Sequence, residues 1–508
     1  MVGWLSAVQL EKSRSDLGRN EKRAMSGAEV EVVFLATPAI GNLVPAVEFA
    51  QRLANHDPRF CSTVLVITDP HRPLVSSYIH SRAAASSSSS SRAGNLRFVH
   101  LPQADPPRPS EYQSAFAYAS LHIANHAPLV KQALVNLRST GTRVAALFLD
   151  MFTVPVADVA CELGIPHYLF FASPASFLGF MLYLLDPGAR KAIESEDMST
   201  ELPIPSFVNS VPKRVLPSLV LRWKDAFTWF LAHAGRYGGT KGIVINTFAE
   251  LEGHALQSLR AGALPPVYSV GPVIDLDGPV KWHPQRAKQE AIVRWLDKQP
   301  PSSVVFLCFG SMGSLGAPQA REIASGLERS GFRFLWSLRE PPRSKLDIPG
   351  DYESMDQALP EAFLDRTAET GLVCGWVPQV TVLAHKAIGG FVSHCGWNSI
   401  LESLWSGVPM ATWPIYAEQQ MNAFQMVAEL GLAVEIRLDY REGSTLVSAE
   451  ELERGLRCLM GSSGSSSKVR SRVKEMRDKS RTAATEYGSS HASMRRLVQQ
   501  LVVELEFA

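Results

Sequence analysis

The sequence predicts an α/β protein made of two Rossmann-like domains facing each other across a cleft. Three observations lead there. Short apolar runs rich in Val, Ile and Phe alternate with helical patterns, which is how βαβ units and parallel sheets read. The runs lack apolar–polar alternation, as expected of strands covered on both faces. The chain has 508 residues, too many for one ordinary domain, and a Pro/Gly-rich stretch divides it.

Residues 1–25 mix charges (Glu11, Lys12, Arg14, Asp16, Arg19) and lack an apolar h-region. They read as a disordered extension, with Met25 a candidate second start. The first domain is assigned to residues 26–262. Val32–Ala36 reads as a strand, Pro45–Leu53 as a helix and Thr63–Thr68 as a strand. The low-complexity Ala83–Ser91 run is expected to be a mobile surface loop. Ala145–Leu149 reads as a strand, followed by a helix through Val156–Leu163 and strands at Tyr168–Phe171 and Ile243–Asn246. Tyr168–Leu185 carries no charge, but Ser173, Pro174 and Ser176 interrupt it and it is barely long enough to span a bilayer. A buried strand running into a buried helix is expected instead, and no integral membrane segment.

Pro265, Pro266, Gly271, Pro272, Gly278, Pro279 and Pro284 mark a linker over residues 263–286. The second domain is assigned to residues 287–485. Its strands are expected at Ser303–Phe309, Phe332–Ser337, Gly371–Cys374, Gly389–Ser393 and Met410–Trp413. Residues 486–508 are expected to form a helix that can pack back on the first domain. Ligands of open parallel sheets sit beyond the carboxyl ends of the strands, so two facing sheets can hold one ligand each.

A 46% hydrophobic, 19% charged composition supplies two cores, and the net charge of +1 gives no bulk attraction to nucleic acid or anionic membrane. The basic cluster Lys468–Arg481 carries Val469, Val473 and Met476 at helical spacing, so it reads as the solvated face of a helix. Six scattered cysteines without a C-x-x-C pair fit buried free thiols in a reducing compartment. A cytoplasmic monomer is expected.

The chemistry concentrates in Gly390–Glu402. A buried strand ends at His394, Gly396 permits a tight turn, and a helix begins near Asn398-Ser399. Free N–H groups at such a helix start form an anion site suited to phosphate. His394, Asn398 and Ser399 can add donors. Ser399-x-x-Glu402 also reads as a capping box that merely satisfies the helix start.

Trp376-Val377-Pro378-Gln379 opens this region, His394-Cys395-Gly396-Trp397-Asn398-Ser399 is its centre, and Trp413-Pro414-Ile415-Tyr416-Ala417-Glu418-Gln419 closes it. The segment resembles the signature of plant family-1 UDP-glycosyltransferases over its full 44 residues, 376–419. Ile245-Asn246-Thr247-Phe248 and Phe309-Gly310-Ser311 extend the likeness. It is closest to the subgroup glucosylating phenolics, flavonoids, terpenoids and hormones.

The resemblance implies a GT-B type fold and metal-independent, inverting transfer from a UDP-sugar to a small-molecule acceptor. UDP-glucose would be the donor substrate, without a further cofactor. It also implies roles. Trp376 would stack on uracil, with Gln379 and the Val377 backbone on its edge. Glu402 would accept from the ribose hydroxyls. His394, Asn398, Ser399 and Ser311 would bind diphosphate beside Gly396. Tyr416, Glu418 and Gln419 would flank the sugar, with the Trp397 backbone nearby.

On the acceptor side the family pattern places a general-base His, oriented by an Asp, after the first strand. Here the run is Pro38-Ala39-Ile40-Gly41-Asn42, so Asn42 replaces the His, while Asp150 matches the Asp. An amide cannot accept a proton at neutral pH. Three accounts follow. Asn42 positions the acceptor while Asp150 or a water takes the proton; the nucleophile is a carboxylate, an amine or an acidic phenol or enol that needs no strong base; or turnover is crippled and the protein only binds UDP-sugar. Asn42 also suits a helix N-cap. The acceptor pocket is expected from Asp105–Tyr112 and Phe171–Leu185. A dinucleotide oxidoreductase is disfavoured, because the Gly310–Gly316 run is spaced G-x-x-G-x-x-G rather than G-x-G-x-x-G.

Overall fold

The computed structural model describes residues 30–88, 95–222, 224–278, 283, 286–344, 346–441, 446–462 and 464–507. The extension over residues 1–25 lies outside them.

The first sheet contains β1 (Val30–Leu35), β2 (Phe60–Val66), β3 (Leu96–His100), β4 (Arg143–Asp150), β5 (His167–Phe171), β6 (Ile243–Ile245) and β7 (Val267–Ser269). They are parallel, in the order β3-β2-β1-β4-β5-β6-β7. The second sheet contains β8 (Val304–Cys308), β9 (Arg333–Ser337), β10 (Gly371–Cys374), β11 (Ile388–Ser393), β12 (Met410–Thr412) and β13 (Ala433–Glu435), in the parallel order β10-β9-β8-β11-β12-β13. Each order reverses once, between β1 and β4 and between β8 and β11. These are the crevices where open sheets bind ligands.

The strands are apolar on both faces because both are covered. Val33 and Leu35 of β1 enter one core, and Val32 and Phe34 the other. Val304 and Phe306 of β8 likewise pack opposite to Val305 and Leu307. Hence periodicity predicts these strands poorly but continuous Val/Ile/Phe runs predict them well.

Several boundaries differ from expectation. Helix α1 spans Ile40–His56, so it begins before Pro45; its N-cap is Ala39, which makes no side-chain cap bond. Asn42 is therefore inside the first turn and is not the cap. The helix Pro73–Ser88 runs into the Ala83–Ser91 stretch, where a loop was expected; its alanines are strong helix formers. The rest of that stretch, residues 89–91, lies outside the described residues. The expected 263–286 linker contains β7, which pairs with β6 as the edge of the first sheet. Pro265 and Pro266 precede that strand rather than break it, since proline is tolerated at a strand's start.

Tyr168–Leu185 contains β5 and the buried helix α2 (Ala175–Tyr183). Among the described residues, no helix is long and apolar enough to cross a membrane. Helix α3 (Ala249–Ala261) connects β6 to β7 and is kinked at Glu252. In the second domain, α4 (Trp397–Ser406) follows β11 and α5 (Gln419–Phe424) follows β12. Val473, on the helix Ser465–Ala483, is fully buried in that domain's core, while Arg481 lies over the Trp405 ring at 5.6 Å. The last helix, α6 (Ser489–Phe507), buries Met494, Leu497, Val498 and Leu501 in a core of the first domain. The Tyr168 hydroxyl donates to Glu504 at 2.9 Å.

Candidate active site

The two crevices open into one cleft of about 430 Å³ between the sheets, a volume suited to small molecules. Ala39–Asn42 from the start of α1, Gly310 and Ser311 after β8, and His394 and Gly396–Ser399 at the start of α4 meet there. The Asn398 amide donates to Gly41 O across the domains at 2.8 Å. The N-termini of α1 and α4 thus face the same space.

His394 is 5% exposed and sits between two glycines. A Cβ at Gly310 would approach its Nε2 to 2.4 Å, and one at Gly396 to 2.5 Å. The left-handed residue of the turn is Cys395, with φ 63°, rather than Gly396. Gly396 is the N-cap of α4 in an extended conformation. Glycine is needed there for room beside the imidazole, not for a positive φ. Burial pushes the His394 pKa down to about 4, so its imidazole is neutral near pH 7.

At one end of the cleft, Gln379 donates to Ser399 Oγ and to Glu402 Oε2, each at 2.7 Å. Ser399 lies in the first turn of α4, three residues after the Gly396 cap, so Ser399 and Glu402 are not a capping box. Both are held by an amide from the neighbouring segment. Burial pushes the Glu402 pKa up to about 7, against the opposing bond from Gln379. Trp376 lines this end and stacks on His283 at 3.6 Å, with planes 4° apart. Its N–H donates to Asp351 at 3.2 Å. Val377 is buried alongside.

The Trp397 ring belongs to the second domain's core, and its indole N–H donates to Asn246 O at 2.7 Å. Trp397, in the first turn of α4, also lines the cleft. Tyr416 lines the far end, its ring 6.4 Å from His394. Glu418 accepts from Ser173 at 3.4 Å. Gln419 Oε1 accepts from the Ile415 and Tyr416 N–H groups at 2.9 and 3.0 Å, which braces the loop and leaves its NH₂ as the donor.

The opposite wall is apolar: Val75, Phe116, Met151, Phe152, Phe177, Leu219 and Phe230. Ala172, Ser173 and Phe177 come from the expected Phe171–Leu185 segment. Asp105–Tyr112 contributes none of the lining. Residues from distant helices do so instead, and no local pattern distinguishes them from core residues. Arg72, Asp275 and Arg339 line the cleft too and were not singled out by sequence.

A family model described as "UDP-glucoronosyl and UDP-glucosyl transferase" matches residues 265–461. UDP-glycosyltransferase 43 of Pueraria montana var. lobata is 54% identical over 479 residues, 93% of this chain and 99% of that protein. The chain belongs to the UDP-glycosyltransferases. UDP-glucose flavonoid 3-O-glucosyltransferase 6 of Fragaria ananassa is 46% identical, covering 93% of this chain and 98% of the relative. Among solved structures, a Medicago truncatula UGT complexed with UDP-glucose is similar at 42% identity and TM-score 0.84, over 93% of this chain and 98% of that one. A Siraitia grosvenorii UGT in complex with UDP has 43% identity and TM-score 0.82, over 93% and 100%. The two facing parallel sheets are the GT-B fold of these glycosyltransferases.

The acceptor side of this glycosyltransferase departs from expectation at Asp150. Asn42 lines the cleft, but Asp150 does not. It is 2% exposed and accepts four hydrogen bonds: Thr37 N at 2.6 Å, Thr37 Oγ1 at 2.9 Å, Phe152 N at 3.0 Å and Thr153 N at 2.9 Å. Burial pushes its pKa up, and these bonds oppose the shift. Its carboxylate therefore ties the loop after β1 to the loop after β4. Asp150, expected alongside a water as the proton acceptor, is thus buried among these donors and does not line the cleft. Among the described lining residues, His394 is the one imidazole. His122 and His126 bond to Thr68 O and His122 O instead.

Proposed function

We propose that this glycosyltransferase moves glucose from UDP-glucose, with inversion, onto an acidic hydroxyl or carboxylate of a small aromatic acceptor. One observation carries the reading: the starts of α1 and α4 and His394 converge on one cleft, an arrangement suited to a diphosphate. Trp376 would stack on uracil, with Gln379 and the Val377 backbone at its edge. Glu402 would accept from ribose. The α4 N–H groups, Ser311, His394, Asn398 and Ser399 would hold the diphosphate. Glu418 and Gln419 would bind sugar hydroxyls beside Tyr416.

The acceptor oxygen would attack the anomeric carbon as the bond to UDP breaks, and UDP would leave with the electron pair. Four phenylalanines on the acceptor wall favour a flat aromatic molecule, in keeping with the flavonoid named for the Fragaria relative. Asn42 supplies a polar contact without a base, so an acceptor ionised near neutral pH is favoured. A second reading, a UDP-sugar-binding protein with impaired turnover, is motivated by that same residue. UDP release is measured with UDP-glucose and a panel of acidic phenols, carboxylates, amines and aliphatic alcohols. Release confined to the first two classes supports the proposal. Binding of UDP-glucose without release on any acceptor supports the second reading.

A further inference from the structure

Away from the reacting centre, a buried polar cluster joins the two domains. Glu252, at the kink of α3, is 3% exposed and accepts from Ala175 N at 2.8 Å and Ser176 N at 3.0 Å. It thereby caps α2, whose own N-cap residue, Pro174, makes no side-chain bond. From the second domain, the Gln425 amide donates to Glu252 Oε1 and accepts from Ser176 Oγ, each at 3.0 Å. Gln425 is also 3% exposed.

Both helices of this junction carry a wall of the cleft. Ser173 and Phe177 flank the start of α2 on the acceptor side. Glu418 and Gln419 lie at the start of α5 on the sugar side, about 9 Å along the helix from Gln425 at the standard rise. The contact is continuous. Ser173 meets Glu418, Met421 and Phe424 enter the first domain's core, and Glu429 accepts from Val208 N and Asn209 N at 2.7 and 2.9 Å. Gln425–Glu429 forms a π-helical turn, a local irregularity often retained at functional sites.

We propose that Glu252, Ser176 and Gln425 are positioning residues: a buried interdomain lock that fixes the donor sugar's distance and orientation relative to the acceptor. The inference rests on the transfer reading above. None of the three touches substrate; each acts through α2 or α5. Carboxylate and amide are complementary here. Glu252 offers only acceptors to three N–H groups, while Gln425 both donates and accepts. A small displacement at such a junction carries a large rate cost, because transfer requires near-contact alignment of the reacting atoms.

Glu252→Gln, Gln425→Glu and the double exchange are compared with the parent protein. Each single variant places mismatched groups together; the exchange restores the amide–carboxylate contact between positions 252 and 425 but leaves one α2 N–H facing the amide nitrogen introduced at position 252. The expected single-variant result is kcat for transfer lower by about 10- to 100-fold. UDP affinity is expected to stay within about twofold, since the anion site at α4 is untouched. The double variant is expected to recover only the part of the Gln425→Glu loss that comes from carboxylate facing carboxylate, because the amide introduced by Glu252→Gln still lacks one of the two acceptors that the Ala175 and Ser176 N–H groups use. Parallel loss of UDP affinity and kcat, or a double variant no better than the worse single one, would overturn the lock. A physical readout separates this from failure of the transfer reading. Cys161 and Cys458 are exposed, one on each domain, and take spin labels. The interdomain distance distribution is expected to broaden in the single variants and narrow in the double. An unchanged distribution overturns the lock whether or not the parent protein transfers sugar.

Discussion

If Glu402 holds ribose as proposed, UDP-glucose affinity should follow the protonation of that side chain. Its carboxyl titrates near 7 in the free site because burial disfavours the charge. Bound as proposed, it accepts hydrogen bonds from ribose, which only the carboxylate can do with both oxygens. The sign follows. UDP-glucose binding selects the ionised form, so affinity is highest above the free-site pKa and falls as the pH drops below it. For one linked proton, affinity is about half-maximal at pH 7 and falls about tenfold per unit below that. The UDP-glucose diphosphate has no proton to gain in this range. His394, near 4, stays neutral there in the free protein. If the bound diphosphate raises the His394 pKa, it adds a slope of opposite sign. Calorimetric titration from about pH 5.5 to about pH 8.5 measures the sum. The same titration of Glu402→Gln isolates the His394 contribution. An acid-side fall in affinity that persists in Glu402→Gln, or identical pH profiles for the parent and Glu402→Gln, would refute the assignment.

Asn42→His should raise kcat/KM on weakly acidic alcohols by about 10²-fold, the low end for a positioned base, because Asp150 is engaged elsewhere and does not orient the new ring. The gain should appear above about pH 6.5, where imidazole is neutral, and stay small for carboxylates; equal gains across acceptor classes would contradict the missing-base account. Asp150→Asn should cost about 1–3 kcal/mol of stability by mismatching buried donors, seen in denaturant unfolding, while the pH profile of turnover keeps its shape. Gly310→Ala should weaken UDP binding about tenfold or more, since overpacking against His394 costs about 1–3 kcal/mol; an unchanged Kd would show that the imbedded ring has room to move.

Much of this architecture was legible in the chain because parallel strands buried on both faces betray themselves as unbroken apolar runs. The motif from Trp376 to Gln419 was legible because close backbone approach and anion binding demand particular residues at fixed spacing. Yet local reading assigned Gly396 to a tight turn and paired Ser399 with Glu402 as a cap. The turn instead bends at Cys395, and both side chains answer to Gln379, 20 and 23 positions away. It also gave the Trp397 ring no partner, although its N–H reaches Asn246 in the other domain.

What the sequence determined by itself was the pair of α/β domains, the donor motif and the substitution of Asn42 for an imidazole. The first is a matter of composition and periodicity; the other two rest on the resemblance of residues at fixed spacing to the family's pattern. Tertiary structure alone decided that Asp150 is spent on Thr37, Phe152 and Thr153. It also decided that the acceptor wall gathers Phe116, Phe177 and Phe230, and that Glu252 meets Gln425. The physical reason is common to all three. A carboxylate's role is set by which donors surround it, and a pocket by which distant helices converge, and both are long-range contacts that no local spacing encodes.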